Sequence, residues 1–217
     1  MNLEQMVKNH IEYDVNIVTE LCETYRKYGS DKSTYHNYSA LYKKIFNSFA
    51  DREINFLEVG LGTNNLDVKS NMGTEGNPGA SLFTIAEMYP QWKIFGLDID
   101  TRILFQDKEK KIQTFFVDQT DEKTIKQLWM NQLKDVKFDI IIDDGLHEFH
   151  ANKTLFDNSF HMLNEGGYYI IEDILNEELK LFKDIADGLD YEYQSVCLPH
   201  FKNTRDNNLF IIHKIKV

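Results

Sequence analysis

Several features that the sequence lacks restrict where this protein can act. No segment reaches the roughly 18 uninterrupted apolar residues that a membrane-spanning helix needs. The segment Met1 to His10 contains no basic region followed by an apolar core, so we predict no signal peptide. Cysteine is scarce, since Cys22 and Cys197 are the two in the chain and they form no C-x-x-C pattern. These absences predict buried thiols rather than a disulfide, and a cytoplasmic protein.

Positive charge is also in short supply. The chain carries 24 Lys and Arg residues against 35 Asp and Glu residues, a formal net charge of -11 at pH 7. Most of such a surface would repel a nucleic-acid backbone, so we do not expect nucleic acid as a substrate. Core-forming residues are plentiful, because 42% of the chain is hydrophobic and 13% is aromatic. This composition over 217 residues predicts a folded globular domain and excludes extensive disorder.

The hydrophobic pattern changes along the chain. Apolar residues at helical spacing predict an N-terminal helical segment over residues 1–50, and residues 51–217 then form the main domain. From Ile54 onwards apolar runs alternate with helical segments, which predicts an α/β fold with a mostly parallel, Rossmann-like, seven-stranded sheet and helices on both faces. The predicted strands are Asn55–Val59, Lys93–Leu97, Thr114–Val117, Phe138–Ile142, Tyr168–Ile171, Tyr193–Cys197 and Leu209–Lys214. The predicted helices are Tyr38–Phe49, Ser81–Met88, Glu122–Leu133, Glu148–Leu163 and Glu177–Ala186.

A glycine turn follows the first predicted strand. Glu58 is the acidic end of that strand, and Gly60 and Gly62 form a G-x-G turn directly after it. Such glycines let the backbone approach a nucleotide closely, although a strand that merely ends in a tight turn is the alternative. Asn65 replaces the third glycine of the dinucleotide fingerprint, which disfavours a nucleotide-binding oxidoreductase. Glu58 would repel a phosphate and suits a positively charged cofactor, such as the methionine part of S-adenosylmethionine.

Acidic residues end the predicted parallel strands. Ligands bind at the carboxyl ends of the strands in an open parallel sheet, so these side chains are candidates for a binding site. Asp98 fits the ribose of a nucleoside cofactor, and Asp118 fits the adenine amino group. Asp144, Glu172 and Asp173 come from adjacent strands and can converge on one hard divalent cation. Their oxygen ligands favour Mg²⁺, Mn²⁺ or Ca²⁺ over zinc. Capping of the following helices is the alternative for Asp144 and Asp173.

His147 stands three residues after Asp144. We place it on the first turn of the next helix, facing the same crevice as the carboxylates. A histidine whose pKa lies near neutral pH can take a proton from a hydroxyl held on the metal. The alternative is that His147 is an ordinary surface histidine. The loops Asn64–Gly79 and Pro199–Asn207 are expected to recognise the acceptor.

Together these residues resemble a class I S-adenosylmethionine-dependent methyltransferase. Glu58-Val59-Gly60-Leu61-Gly62 resembles the first cofactor motif, Gly96-Leu97-Asp98-Ile99-Asp100 the second, and Asp118-Gln119 the adenine-binding turn. Leu163-Asn164-Glu165-Gly166-Gly167 resembles the glycine turn before the fifth strand of this superfamily. The resemblance implies S-adenosyl-L-methionine as cofactor, bound by Glu58, Gly60, Gly62, Asp98, Asp118 and Gln119.

A narrower resemblance, to bacterial sugar O-methyltransferases of the macrolide-sugar and rhamnosyl type, rests on three further motifs. They are Gly29-Ser30-Asp31-Lys32 with His36 and Tyr38, Asp143-Asp144-Gly145-Leu146-His147, and Ile171-Glu172-Asp173. This resemblance implies Mg²⁺ or Mn²⁺ held by Asp144, Glu172 and Asp173, His147 as the catalytic base, and an acceptor with vicinal sugar hydroxyls. It also adds to the cofactor-binding set Lys32, His36, Tyr38 and Asp143.

Several alternatives stay open at the level of sequence. Lys32, His36 and Tyr38 form either a lid over the cofactor or the cap and packing of the following helix. A catechol-type O-methyltransferase uses a similar carboxylate metal site, but it has a lysine where His147 stands. The non-enzymatic alternative is a nucleotide-binding fold without catalytic activity. Separately, the sequence leaves homo-oligomeric assembly open.

Overall fold

A single eight-stranded sheet organises the computed structural model, which describes residues 2–216. Met1 and Val217, the outer ends of the two predicted segments, lie outside the described residues. The strands are β1 (Asn55–Val59), β2 (Lys93–Asp98), β3 (Gln106–Asp107), β4 (Ile112–Phe116), β5 (Phe138–Asp143), β6 (Leu163–Ile171), β7 (Tyr191–Cys197) and β8 (Asn208–Lys216). Their order across the sheet is β3-β4-β2-β1-β5-β6-β8-β7. The five neighbouring strands β4, β2, β1, β5 and β6 are parallel to one another. In contrast, β3 pairs antiparallel with β4, β8 with β6, and β7 with β8.

Helices cover both faces of this sheet. One face carries α1 (Leu3–Asn9), α2 (Glu20–Tyr28), α3 (Tyr38–Asn47) and α4 (Ala80–Met88). The other face carries α5 (Glu122–Gln127), α6 (Phe149–Ser159) and α7 (Leu179–Ala186). Two π-helical turns, His10–Asp14 and Leu128–Gln132, extend α1 and α5.

The central strands are buried from both sides. In β5, Ile140 and Ile142 join the hydrophobic cluster beneath α1 to α4, whereas Ile141 joins the cluster beneath α5 to α7. Successive side chains of a strand point to opposite faces, so both faces need apolar residues here. This double burial explains why the strand sequences show no alternation of polar and apolar residues.

The N-terminal helices share the core of the sheet. The Phe46 ring of α3 packs edge-on against Phe56 of β1 and against Trp92, which precedes β2. Leu3 of α1 and Leu21 of α2 are buried in the same cluster. The predicted division of the chain at residue 50 stays a prediction, and within the structure the helices of residues 2–50 pack directly on the sheet.

The structure corrects three details of the predicted fold. The sheet has eight strands instead of seven, because the two residues of β3 are too few to give a sequence pattern. His147 does not lie on a helix: α6 begins two residues later, at Phe149, and the His147 backbone has a φ of 56°. The predicted helix Glu122–Leu133 is regular only to Gln127 and continues as a π-helical turn.

No helix among residues 2–216 is long and apolar enough to cross a lipid bilayer.

Candidate active site

The carboxyl ends of β1 and β5 meet at the topological switch point of the sheet. β1 lies between β2 and β5, so the chain leaves β1 towards one side and later returns on the other, which is where open α/β sheets bind ligands. Gly60 follows β1 with a φ of 91°, and a Cβ atom there would overlap the carbonyl oxygen of Asp144. The Asp144 N–H donates a hydrogen bond to the Val59 carbonyl at 2.9 Å. Only glycine fits this close approach of the two strand ends.

A cavity of about 300 Å³ opens at this point. Eight of the predicted site residues line it: Gly60, Gly62, Asp98, Asp118, Gln119, Asp144, His147 and Asp173. The predicted acceptor loop Asn64–Gly79 also contributes to its wall, through Val68, Lys69, Ser70 and Met72. The structure therefore brings five of the ten predicted cofactor-binding residues, the predicted base and two of the three predicted metal ligands into one cavity.

Asp98 is held rigidly at the end of β2. Its Oδ2 atom accepts a hydrogen bond from the Leu61 N–H at 2.7 Å, and its Oδ1 atom accepts one from the Asp100 N–H at 2.8 Å. Burial raises the pKa of Asp98, and these backbone N–H groups oppose the rise. The carboxylate is thus fixed beside the glycine turn, where a ribose would lie in a nucleotide-binding α/β fold.

Gln119 joins the cavity wall beside Asp118 to the loop that carries His147. Its Nε2 atom donates to Asp143 Oδ1 at 2.5 Å, and its Oε1 atom accepts from the Leu146 N–H at 2.9 Å. The other Asp143 oxygen accepts from Asn152 of α6 at 3.0 Å. Burial raises the pKa of Asp143 to about 6. Asp143 is fully buried and shapes this loop from behind, outside the cavity lining.

His147 contacts two carboxylates from neighbouring strand ends. Its Nε2 atom lies 3.0 Å from Asp144 Oδ1, and its Nδ1 atom lies 3.8 Å from Asp173 Oδ2. Burial alone would lower the pKa of His147, but the hydrogen bond to Asp144 and the charges of the nearby carboxylates raise it to about 10. A suitable oxygen or nitrogen atom of each of these three side chains lies within 4.8 Å of the others. They form the cavity-side cluster.

The N-terminal segment supports Asp173 from below. The Tyr38 hydroxyl donates to Asp173 Oδ1 at 2.8 Å, and the same oxygen lies 3.4 Å from His36 Nδ1. His36 and Tyr38 stack on each other with ring centroids 4.7 Å apart. Both side chains are buried, and neither lines the cavity. Their predicted role at the cofactor stays a prediction, while the structure gives them contacts to a predicted metal ligand.

A second group of carboxylates lies beneath the cavity, around the ammonium group of Lys32. Lys32 contacts Asp144, lies 2.7 Å from Glu172 Oε2 and lies 3.2 Å from Glu58 Oε1. The remaining oxygen of Glu172 accepts from the Tyr42 hydroxyl at 2.7 Å. Burial would lower the pKa of Lys32, but the three carboxylates raise it well above its usual value. Glu58, Lys32 and Glu172 are all buried and do not line the cavity.

Three supporting residues had no signal in the sequence. In the sequence, Tyr42 belongs to the apolar face of α3 and Asn152 is one of the polar residues of α6. Each nevertheless donates a hydrogen bond to a strand-end carboxylate. Ser81 at the start of α4 donates to Glu58. Their partners lie far along the chain or in another element, so only the tertiary structure identifies them.

The Rossmann-like sheet thus carries at its switch point a cavity that is lined by strand-end carboxylates and a histidine. The chain belongs to the methyltransferase domain family, because a family model with the description "Methyltransferase domain" matches residues 76–210. The predicted family and fold class are therefore confirmed.

Similar curated proteins are O-methyltransferases of Streptomyces olivaceus. The 8-demethyl-8-alpha-L-rhamnosyl tetracenomycin-C 2'-O-methyltransferase is 29% identical over 161 residues, which cover 74% of this chain and 39% of that protein. The 8-demethyl-8-(2-methoxy-alpha-L-rhamnosyl)-tetracenomycin-C 3'-O-methyltransferase is 31% identical over 185 residues, with 76% and 44% covered. The chain thus spans less than half the length of these relatives.

A solved structure with a similar fold is the MycE methyltransferase of the mycinamycin biosynthetic pathway, in complex with Mg, SAH and mycinamycin VI. It matches with a TM-score of 0.69 at 21% sequence identity, over 100% of this chain and 64% of that one. At this identity the similarity supports the fold.

Proposed function

We propose that this protein is an S-adenosylmethionine-dependent O-methyltransferase that methylates a sugar hydroxyl with the help of a divalent metal ion. The observation that carries the proposal is the cavity-side cluster of Asp144, His147 and Asp173, which lies in the same cavity as Asp98 and Asp118. Proton removal and cofactor binding can therefore take place side by side. The names of the two Streptomyces relatives, both rhamnosyl O-methyltransferases, support a sugar acceptor.

The cofactor-binding set divides into residues on the cavity and residues behind it. We retain as direct contacts the cavity-lining residues Gly60, Gly62, Asp98, Asp118 and Gln119. The Asp98 carboxylate suits the ribose hydroxyls, and the glycine turn allows close approach of the backbone. The other five predicted residues act on the cofactor through the wall that they support: Lys32, His36, Tyr38, Glu58 and Asp143.

Asp144 and Asp173 fit a hard divalent cation such as Mg²⁺ or Mn²⁺. Each brings a carboxylate oxygen to the cavity-side cluster, and oxygen is the ligand that these ions prefer. Glu172, the third predicted ligand, shares with Asp144 a second group of carboxylates that could hold such an ion. A cation held there would lower the pKa of an acceptor hydroxyl in contact with it. An acceptor with two vicinal hydroxyls can supply further oxygen ligands.

His147 is the proposed general base. Its Nδ1 atom is 3.8 Å from Asp173, beyond hydrogen-bond range, so this atom can receive a proton from an acceptor hydroxyl. The negative charges of Asp144 and Asp173 are what raise the pKa of the imidazole. A divalent cation held by the same carboxylates would oppose that rise and would favour the neutral imidazole.

Replacement of His147 tests this role. We expect His147→Ala to lower kcat by about 10²–10⁴-fold, because a general base typically contributes that much. Binding of S-adenosylhomocysteine, measured by calorimetric titration, remains within a few-fold of wild type. The matched control is His150→Ala, since His150 is an exposed histidine on the first turn of α6. Near-normal turnover of His147→Ala would remove this residue from the mechanism.

The remaining aspects of the function are also proposals. The net charge of -11 supports a protein that acts without nucleic acid. Two cysteines without a disulfide agree with a cytoplasmic location. Homo-oligomeric assembly also stays a proposal. Light scattering of the purified protein tests it by measuring the molar mass in solution.

A further inference from the structure

One wall of the cavity is a loop without regular secondary structure. Residues 64–79, all of which the structure describes, contain no helix or strand. They nevertheless line the cavity through Val68, Lys69, Ser70 and Met72. A loop keeps one shape only where it is tied to more rigid elements, so the contacts of this loop decide the shape of the wall.

The Arg102 guanidinium ties this loop to the end of β2. Its Nε and Nη2 atoms donate to the two carboxylate oxygens of Asp100 at 2.7 Å and 3.0 Å. Its Nη1 and Nη2 atoms donate to the two oxygens of Asp67, which belongs to the loop, at 3.2 Å and 3.0 Å. Both contacts are bidentate, and such pairs fix the relative orientation of the two partners as well as their distance.

Asp100 extends this connection to the cofactor side of the cavity. Its side chain is 2% exposed, and its Oδ2 atom also accepts from the Thr63 hydroxyl at 2.6 Å and from Asn65 Nδ2 at 2.7 Å. Its N–H donates to Oδ1 of Asp98, the predicted ribose carboxylate, at 2.8 Å. A buried carboxylate needs such partners, and Arg102 supplies the positive charge among them. The start of the loop and the predicted ribose site are therefore held by the same buried side chain.

The other end of the wall is tied to the turn that carries His147. The Ser70 hydroxyl donates to the Leu146 carbonyl at 3.1 Å, and Lys69 contacts Glu148. Leu146 and Glu148 are the two neighbours of His147 in the chain. The loop thus connects the cofactor side of the cavity to the proposed base.

We propose that Arg102 is a positioning residue for the acceptor: by holding Asp67, it fixes the wall segment, Asp67–Ser70, at the distance from His147 that an acceptor sugar needs. This inference rests on the proposed function, because it concerns the acceptor of the same site. Neither Arg102 nor Asp67 lines the cavity. Arg102 therefore acts on the acceptor through the loop and not by direct contact.

The exposure of this ion pair separates positioning from stability. The Arg102 side chain is 50% exposed and the Asp67 side chain is 71% exposed, and ion pairs as exposed as this contribute little to stability. We expect Asp67→Asn to keep the Tm of wild type and its S-adenosylhomocysteine affinity, because this change leaves the Arg102–Asp100 pair in place. A change of the acceptor KM in this variant is then an effect of the wall and not of folding.

A double-mutant cycle tests the inference in steady-state kinetics, with an L-rhamnosyl glycoside as acceptor and with saturating S-adenosylmethionine and Mg²⁺. We expect Asp67→Asn and Arg102→Gln each to raise the acceptor KM by about 3–30-fold, within the range of coupled contacts. The kcat changes little, because a wall that binds the acceptor equally before and during the reaction affects KM alone. The double variant has the KM of Arg102→Gln, since both changes break one contact. The matched control Arg52→Gln, at another exposed arginine, keeps the KM of wild type.

Two results would overturn the inference: an Asp67→Asn protein with the KM of wild type, or a double variant in which the two losses add. Asp67→Asn decides the question alone if Arg102→Gln does not fold. Wild type without methyl transfer to the glycoside would instead overturn the proposed function, and the inference with it.

Discussion

At the scale of single residues, glycine at position 60 is the strictest requirement of the site. Gly60 and Gly73 both have positive φ, 91° and 73°, so alanine is strained at either position by about 1–2 kcal/mol. A Cβ at Gly60 would also overlap the Asp144 carbonyl, whereas a Cβ at Gly73 would meet nothing within 4 Å. We therefore predict that Gly60→Ala lowers the Tm much more than Gly73→Ala and that it alone abolishes S-adenosylhomocysteine binding in calorimetric titrations. Equal losses in the two variants would contradict the close approach of β1 and β5.

At the scale of elements, the π-helical turn after α1 makes the fold sensitive to acid. His10 is buried there with neither ring nitrogen hydrogen-bonded, and burial together with the charge of Lys44 lowers its pKa from 6.5 to about 4. Between pH 6.5 and about pH 4, His10 is protonated in the unfolded chain and neutral in the folded chain. His10 therefore lowers the free energy of unfolding as the pH falls through this window. We predict that His10→Leu loses less stability than wild type between pH 7 and pH 4 in urea unfolding. The exposed control His150→Leu follows wild type, and a His10→Leu profile parallel to both would refute the prediction.

Among the elements, the central strands could be predicted from the sequence, whereas the start of α6 and the long-range contacts could not. The central strands were predictable because strands buried on both faces leave unbroken apolar runs, and β1 was predicted at its observed bounds, Asn55–Val59. The sequence did not predict that His147 precedes α6 with a positive φ. The residue at which a helix begins depends on the backbone conformation of several neighbouring residues, and no single residue determines it. The Lys32 contacts with Asp144 and Glu172 join residues 112 and 140 positions apart. Pairing over such separations follows from the topology of the sheet and leaves no local pattern.

At the scale of the whole molecule, the shared core predicts a single cooperative unfolding transition. The two tryptophans report on opposite faces of the sheet, since Trp92 lies in the cluster with α1 to α4 and Trp129 in the cluster with α5 to α7. Both side chains are buried, so the fluorescence of each changes on unfolding. We expect Trp92→Phe and Trp129→Phe, each with one tryptophan left, to give fluorescence transitions that coincide with the circular dichroism transition of the same variant. A fluorescence transition of Trp129→Phe that separates from its circular dichroism transition would instead support an independent N-terminal unit.

The most direct test of the central claim is mass spectrometry of methyl transfer from S-adenosylmethionine to an L-rhamnosyl glycoside. The reaction is run with Mg²⁺ and, in parallel, with a chelator, and catechol serves as the competing acceptor. We predict a methylated sugar and S-adenosylhomocysteine in the Mg²⁺ reaction, neither product with the chelator, and unchanged catechol. Methylation of catechol in place of the sugar, or equal methylation of the sugar with the chelator, would contradict a metal-assisted sugar O-methyltransferase.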